Sequence, residues 1–324
     1  MRLFDFALNT RQQTSAATIG MIGAGKMANV HSKVLKDLFK NVTLKAVTSR
    51  SINSARALQA KYNYRHAYTD VNSMLDENPD INAIILAVSH EQSFQILKQI
   101  IPYKKYVLAE KPAAFSSTDN MELVKMAKEF STEIMVAVNR RFYENYTDAY
   151  FEHLRRGGIK FMNVEINEPI WNYRGRRQFN NWLYAKWPVA NSIHFVDLIR
   201  FYLGDVTNIP FVHTSEPLNI KAYLQHTGGD SFVNVIYNSS APSGFRFYGN
   251  GVSADFAGFN KVYYPSTTAE FNHSKQENEY KPGIIGQMKY FVNAVSEGSK
   301  ISYPASGIED HTKSIQLVEQ VFGL

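Results

Sequence analysis

The 324-residue chain contains no cysteine. That absence excludes disulfides, thiolate zinc sites, iron–sulfur clusters and a cysteine nucleophile. It also lacks any run of the roughly 18 consecutive apolar residues that would suggest a membrane span. Neither sign of charge dominates: 35 Lys and Arg stand against 29 Asp and Glu, and the net charge is +6. The charges are scattered, which favours small anionic ligands slightly and gives no indication of nucleic acid. The nine histidines show no H-E-x-x-H or comparable metal spacing, so no metal is expected. A G-x-S-x-G nucleophile elbow is missing as well. The first residues, MRLFDFALNTRQQTSAA, break their apolar positions with Arg2, Asp5 and Asn9. A signal-peptide core is therefore absent, and a cytoplasmic protein is expected.

What is present is an ordinary globular composition with 44% hydrophobic residues, at a length that suggests two domains of about 150 residues each. Residues 18–139 alternate short apolar runs with helical stretches. Strands are expected at Ile19–Ile22, Thr43–Val47, Ile81–Val88, Tyr106–Ala109 and Ile134–Val138, separated by helices. The run Ile81–Val88 is apolar apart from Asn82, as suits a central parallel strand covered on both faces. This alternation predicts a doubly wound parallel sheet, the Rossmann type of α/β fold. Residues 140–324 read differently. A helix near Tyr146–Arg155 and another from Asn191 to Leu203, closed by Gly204, frame β-rich runs. These are separated by Thr227-Gly228-Gly229-Asp230, Asn238-Ser239-Ser240 and Gly249-Asn250-Gly251. Such short spacings predict hairpins, hence an α+β domain with a large, mostly antiparallel sheet. Two helices, near Ile284–Glu297 and Ile308–Val321, end the chain. Residues 1–17 form an arm with no role that can be derived.

Gly23-Ala24-Gly25-Lys26-Met27-Ala28 follows the first strand and opens a helix, the dinucleotide turn G-x-G-x-x-G/A. Gly23 allows the tight turn, Gly25 lets the backbone approach a pyrophosphate, and Ala28 is small enough for the helix to pack on the strand. The pyrophosphate would sit at the helix N-terminus, where free N–H groups favour an anion. After the second strand, NAD-type folds usually place a carboxylate on the ribose 2′-hydroxyl. Here Ser49-Arg50-Ser51 stand instead, and a guanidinium with two hydroxyls suits a 2′-phosphate. NADP is therefore expected in preference to NAD. Ala87, Val88, Ser89 and His90, after the run Ile81–Val88, are expected on the same cofactor rim; capping the next helix is the other reading of His90.

Glu110-Lys111-Pro112 follows the strand Tyr106–Ala109. A lysine at the carboxyl end of a parallel strand faces the crevice where such folds bind ligands. Lys111 can hydrogen-bond a reacting hydroxyl or carbonyl and stabilise alkoxide character; a salt bridge is its plainer reading. The turn Gly23–Ala28, then Glu110-Lys111-Pro112, then His194-Phe195-Val196-Asp197-Leu198-Ile199-Arg200-Phe201-Tyr202-Leu203-Gly204 together resemble the glucose-fructose oxidoreductase / inositol dehydrogenase / MocA family. The resemblance implies NAD(P)-dependent oxidation or reduction of sugars, polyols or related carbonyls. It also implies a homodimer or homotetramer built through the open sheet. Lys111 then corresponds to the family's catalytic lysine and His194 to its active-site histidine, a general acid/base. A buried helix histidine is the plainer reading of the latter.

One departure stands out. Many members carry Asp four residues before that histidine, and Ala190 occupies the position here. Asn191 and Asp197, each three residues from His194, are the remaining candidates to orient it. For substrate contact the candidates are Arg141 (or Arg140), Tyr143, Trp171, Asn191 and His194. The arginines suit a carboxylate or phosphate, or else an ion pair between domains. The aromatic, arginine-rich stretch Trp171–Trp187 suits a loop over a sugar ring, or else a surface contact. The expected function is hydride transfer between a nicotinamide and a sugar-like carbinol or carbonyl. The alternative is a cofactor-binding regulatory or non-catalytic protein on the same fold. No nucleic-acid or membrane partner is expected.

Overall fold

The computed structural model describes residues 17–170, 185–215, 219–237, 239–257, 261–265, 267–270, 272 and 274–324. They divide into two compact units. The first comprises residues 17–142 together with Lys275–Thr312; the second comprises the described residues of Tyr143–Ser274 and Lys313–Leu324.

In the first unit the strands are β1 (Thr18–Ile22), β2 (Thr43–Thr48), β3 (His66–Tyr68), β4 (Ala83–Leu86), β5 (Tyr106–Ala109) and β6 (Ile134–Val136). All pair in parallel, in the order β6-β5-β4-β1-β2-β3. The connecting helices are α1 (Lys26–Leu38), α2 (Ile52–Tyr62), α3 (Val71–Asp76), α4 (His90–Ile100) and α5 (Ser117–Phe130). Strand β4 is buried at all four positions, as a central strand covered by helices on both faces must be. The chain order reverses between β1 and β4, which makes this pair the topological switch point, where α/β sheets bind ligands.

Three features of this unit were not readable along the chain. Strand β3 is only three residues long, too short to show a period. Ser306–Gly307 adds an antiparallel edge strand beside β6. Lys275–Thr312, with the helices at Lys275–Glu279 and Ile284–Glu297, joins this unit rather than the second. Side chains hold it there: Asn120 donates to the Ile308 carbonyl and to Thr312, and the Tyr280 hydroxyl donates to Asp37.

The second unit carries an eight-stranded sheet, numbered on in chain order: β7 (Ile159–Ile166), β8 (Val206–Ser215), β9 (Asn219–His226), β10 (Asp230–Ile236), β11 (Gly244–Gly249), β12 (Val252–Asp255), β13 (Lys261–Tyr263) and β14 (Thr268–Glu270). Their order is β14-β13-β12-β11-β7-β10-β9-β8. Only β7 and β10 pair in parallel; the other pairs are antiparallel. Alternate residues of β7, β9 and β10 are buried, the period-two signature of a sheet with one covered face. Helices α6 (Glu144–Arg155) and α7 (Ile193–Leu203) lie in the same unit. Phe245, Phe247, Phe256, Tyr146 and Tyr202 form an aromatic core, with ring centroids 4.7–6.2 Å apart. Every residue of α7 is buried, which explains why its sequence is apolar apart from His194, Asp197 and Arg200.

Candidate functional site

Strand register builds the candidate site of the first unit. Ile22 lies opposite Thr48 on one side and Leu86 on the other, and Leu86 lies opposite Ala109. Four strands therefore end on one line. The segments that leave them are Gly23–Met27, Ser49–Ser51, Ala87–His90 and Glu110–Lys111. Parallel pairing thus brings the cofactor-rim residues read from the sequence to one edge of the sheet.

Gly23 has φ +110°, and a Cβ there would stand 2.2 Å from the Ala87 carbonyl oxygen; only glycine fits. Its N–H donates to the Thr48 carbonyl at 2.9 Å. At Gly25 the situation is opposite, because a Cβ would meet nothing within 4 Å. Gly25 is the N-cap of α1, with no side-chain cap and no acidic residue in the first turn. The open space over free N–H groups fits the pyrophosphate of a dinucleotide. Ala28 is fully buried against the sheet. Lys26 is exposed, whereas Ala24 and Met27 are half-buried.

At the end of β2, Arg50 is exposed and Ser49 half-buried. The Ser51 hydroxyl accepts from the Ser54 N–H and caps α2. Ser89 is the N-cap residue of α4, without a side-chain cap bond. His90 opens that helix with its ring 6.3 Å from Phe115. Burial and the nearby Lys111 charge push the His90 imidazole down to about 4, against the pull of Glu110 and Glu91. It is neutral at physiological pH and lies within electrostatic reach of Lys111.

Glu110 accepts from the Nε2 of fully buried His31 on α1, at 2.8 Å. Burial alone would raise the Glu110 carboxyl. His31, Lys281 and Lys111 more than offset this and hold it below the usual carboxylate range. Lys111 itself is half-buried, and its peptide bond to Pro112 is cis. Lys281 comes from the Lys275–Thr312 segment. Its ammonium lies 3.7 Å from the Met27 sulfur. Burial lowers its pKa, as do Lys26 and Arg140, against Glu110. Neither His31 nor Lys281 stood out in the sequence. Each owes its place to chain segments far apart, and no motif marks either.

Arg141 is 3% exposed. Its guanidinium donates to Asp310 at 2.6 Å and to the Pro304 carbonyl, so it is tied into the interior of its own unit.

The remaining candidate residues lie in the second unit. Residues 188–192 form a π-helical turn that leads into α7, a form that occurs mostly as single-turn bulges, often at functional sites. His194 follows on the first turn of α7 and is 7% exposed. Asn191 donates to Glu168 at 3.0 Å. Asp197 accepts from Ser314, which also accepts from Arg200. Tyr143 is half-buried, with its ring 4.9 Å from Tyr146. Trp171 lies outside the described residues. Among the described residues no group of acidic or histidine side chains could hold a metal ion, and no helix is long and apolar enough to cross a membrane.

The parallel sheet and the glycine turn define a Rossmann-type dinucleotide-binding unit. Residues 17–138 match the family described as "Oxidoreductase family, NAD-binding Rossmann fold" (GFO_IDH_MocA). Among curated relatives, trans-1,2-dihydrobenzene-1,2-diol dehydrogenase of Xenopus tropicalis is 24% identical over 224 residues, 68% of this chain and 65% of the relative. Myo-inositol 2-dehydrogenase of Thermotoga maritima is 25% identical over 128 residues, 40% of this chain and 38% of the relative. The chain thus aligns with less than two thirds of either relative's length. An Agrobacterium radiobacter oxidoreductase, solved with NAD+, L-tartaric acid and magnesium, superposes with a TM-score of 0.77 at 16% identity. It covers 95% of this chain and 96% of its own, and this likeness establishes the fold.

Proposed function

We propose that this protein is an NADP-preferring oxidoreductase acting on the CH–OH group, or the corresponding carbonyl, of a sugar, polyol or sugar derivative. The observation that carries the reading is Lys111 at the carboxyl end of β5, on the same strand-end line as the glycine turn. Bound nicotinamide would accept or return the hydride. Lys111 hydrogen-bonds the oxygen of the reacting carbon and stabilises alkoxide character there. His194 takes the hydroxyl proton during oxidation and gives it back during reduction. Tyr143 and Asn191 are the substrate contacts in this reading, with Trp171 from the aromatic stretch.

Preference for NADP is supported by Arg50, Ser49 and Ser51 after β2, where no carboxylate stands to repel a 2′-phosphate. A homodimer or homotetramer built on the open sheet is supported by the exposed Phe211, Val212 and Tyr248. A cytoplasmic location goes with this reading.

The test is nicotinamide absorbance in mixtures of purified protein, NADPH or NADP, and a panel of sugars, polyols and sugar acids. Turnover with one member supports the reading. Tight NADPH binding without turnover across the panel would overturn it in favour of a regulatory protein.

A further inference from the structure

Glu168 lies two residues beyond the end of β7 and is 7% exposed. A buried carboxylate needs donors for its oxygens, and among the described residues its side-chain donors come from one short stretch. Trp187 Nε1 donates to Oε2, as does the Ser192 hydroxyl at 3.3 Å, and Asn191 Nδ2 donates to Oε1 at 3.0 Å. Ser192 is in turn paired with the hydroxyl of buried Tyr237, whose ring stacks on Phe322 at 6.1 Å. Those donors bracket the π-helical turn 188–192, and His194 is the second residue beyond it. Ala190, inside the turn, brings no carboxylate of its own.

We infer that Glu168 is a positioning residue for His194: its carboxylate fastens the π turn to the end of β7 and so fixes where the imidazole stands. The turn closes an i→i+5 backbone bond, Ile193 N–H to the Pro188 carbonyl, in place of the i→i+4 bonds of an α-helix. Three side-chain bonds to one buried carboxylate hold that rare pitch, and charge-assisted bonds are the stronger kind. A glutamine here would keep one acceptor oxygen and replace the other with a donor. That group would face the donors of Trp187 and Ser192. The inference rests on the oxidoreductase reading above for its kinetic consequence, but not for its structural one.

The test compares wild type with Glu168→Gln and Glu168→Asp as full-length proteins. Two readouts are used: steady-state kinetics on whichever panel member is turned over, and hydrogen exchange in peptides covering 187–203. For Glu168→Gln, kcat should fall about 10- to 100-fold, the range a misplaced reacting group produces. KM and the NADPH Kd should change less than about threefold. Exchange across 187–203 should rise while the rest of the chain is unchanged, and Glu168→Asp should recover part of kcat. Unchanged kcat, or a loss confined to KM, would overturn the inference. If Glu168→Gln does not fold, Trp187→Phe, which removes a single donor, decides by the same split. If wild type turns over nothing, the functional reading fails by itself. The exchange measurement then stands alone, and unaltered protection at 187–203 overturns the inference.

Discussion

His31 on α1 hydrogen-bonds Glu110 at the end of β5, with Nε2 and Oε1 2.8 Å apart. The bond ties the helix that opens at the cofactor turn to the backbone that carries Lys111. His31 is fully buried, and its other ring nitrogen has no partner among the described residues. Glu110→Leu therefore leaves a buried donor unmatched and should lower unfolding stability by about 1–3 kcal/mol. Urea denaturation checks this; equal midpoints would show that the bond contributes nothing.

The two glycines of the turn should respond in opposite ways to the same substitution. Gly23→Ala forces a Cβ onto the Ala87 carbonyl at a positive φ. It should destabilise the fold by at least about 1–3 kcal/mol. Gly25→Ala finds open space at φ −84°, so the melting temperature should hold. The added methyl occupies the pyrophosphate's approach, however, and NADPH affinity should drop by about tenfold, or about 1.4 kcal/mol. Calorimetry on both variants separates a folding defect from a binding defect.

Removing Lys111 should abolish most turnover without unfolding the protein. Lys111→Met keeps the aliphatic stem and deletes the donor. The expected fall in kcat is about 100- to 1000-fold, the usual cost of one donor to a developing oxyanion. Rate retention by a cofactor-loaded variant would remove Lys111 from the chemistry.

Arg50→Ala tests the cofactor preference. Loss of a charge-assisted contact of about 1.5–3 kcal/mol should weaken NADPH binding about 10- to 100-fold, while NADH affinity stays level. A parallel loss for both cofactors would place Arg50 on the adenine instead.

Acid should destabilise the protein well before the carboxylates titrate. An unfolded histidine takes up its proton near 6.5, but folded His90 resists until about 4. Between those values the unfolded state holds more protons, so stability is lost as pH falls through this window. His90 contributes at most about 3 kcal/mol of that loss. Burial also lowers His153 and His226, which act in the same direction. His90→Gln should flatten the pH dependence of the melting temperature between the two values. Glu110 acts lower still: its stabilisation is lost as pH falls through its depressed value.

Much of the first unit was legible because its signals are local. A buried parallel strand announces itself as an apolar run, as in the stretch containing β4. The glycine turn announces itself because no other residue tolerates φ +110° against the Ala87 carbonyl. Gly204 likewise marks the end of α7: its φ is +81°, and a Cβ would collide with Thr227. The π turn at 188–192 left no such mark, since Pro188-Val189-Ala190-Asn191-Ser192 reads like the start of any helix. Glu168 left none either; a single glutamate in a loop has meaning only once its donors are known.

Local pattern and side-chain chemistry were thus enough to specify the Rossmann unit and its glycine turn. These depend on periodicity, on glycine's conformational freedom and on residue type, all properties of short stretches. Tertiary structure alone decided that Lys275–Thr312 returns to the first unit and sets Lys281 beside Met27. It also decided that Arg141 meets Asp310, and that Glu168 fastens the turn before His194. Those pairs are separated by 23 to 254 residues. They are brought together by burial of apolar surface over the whole unit, which no short stretch of sequence encodes.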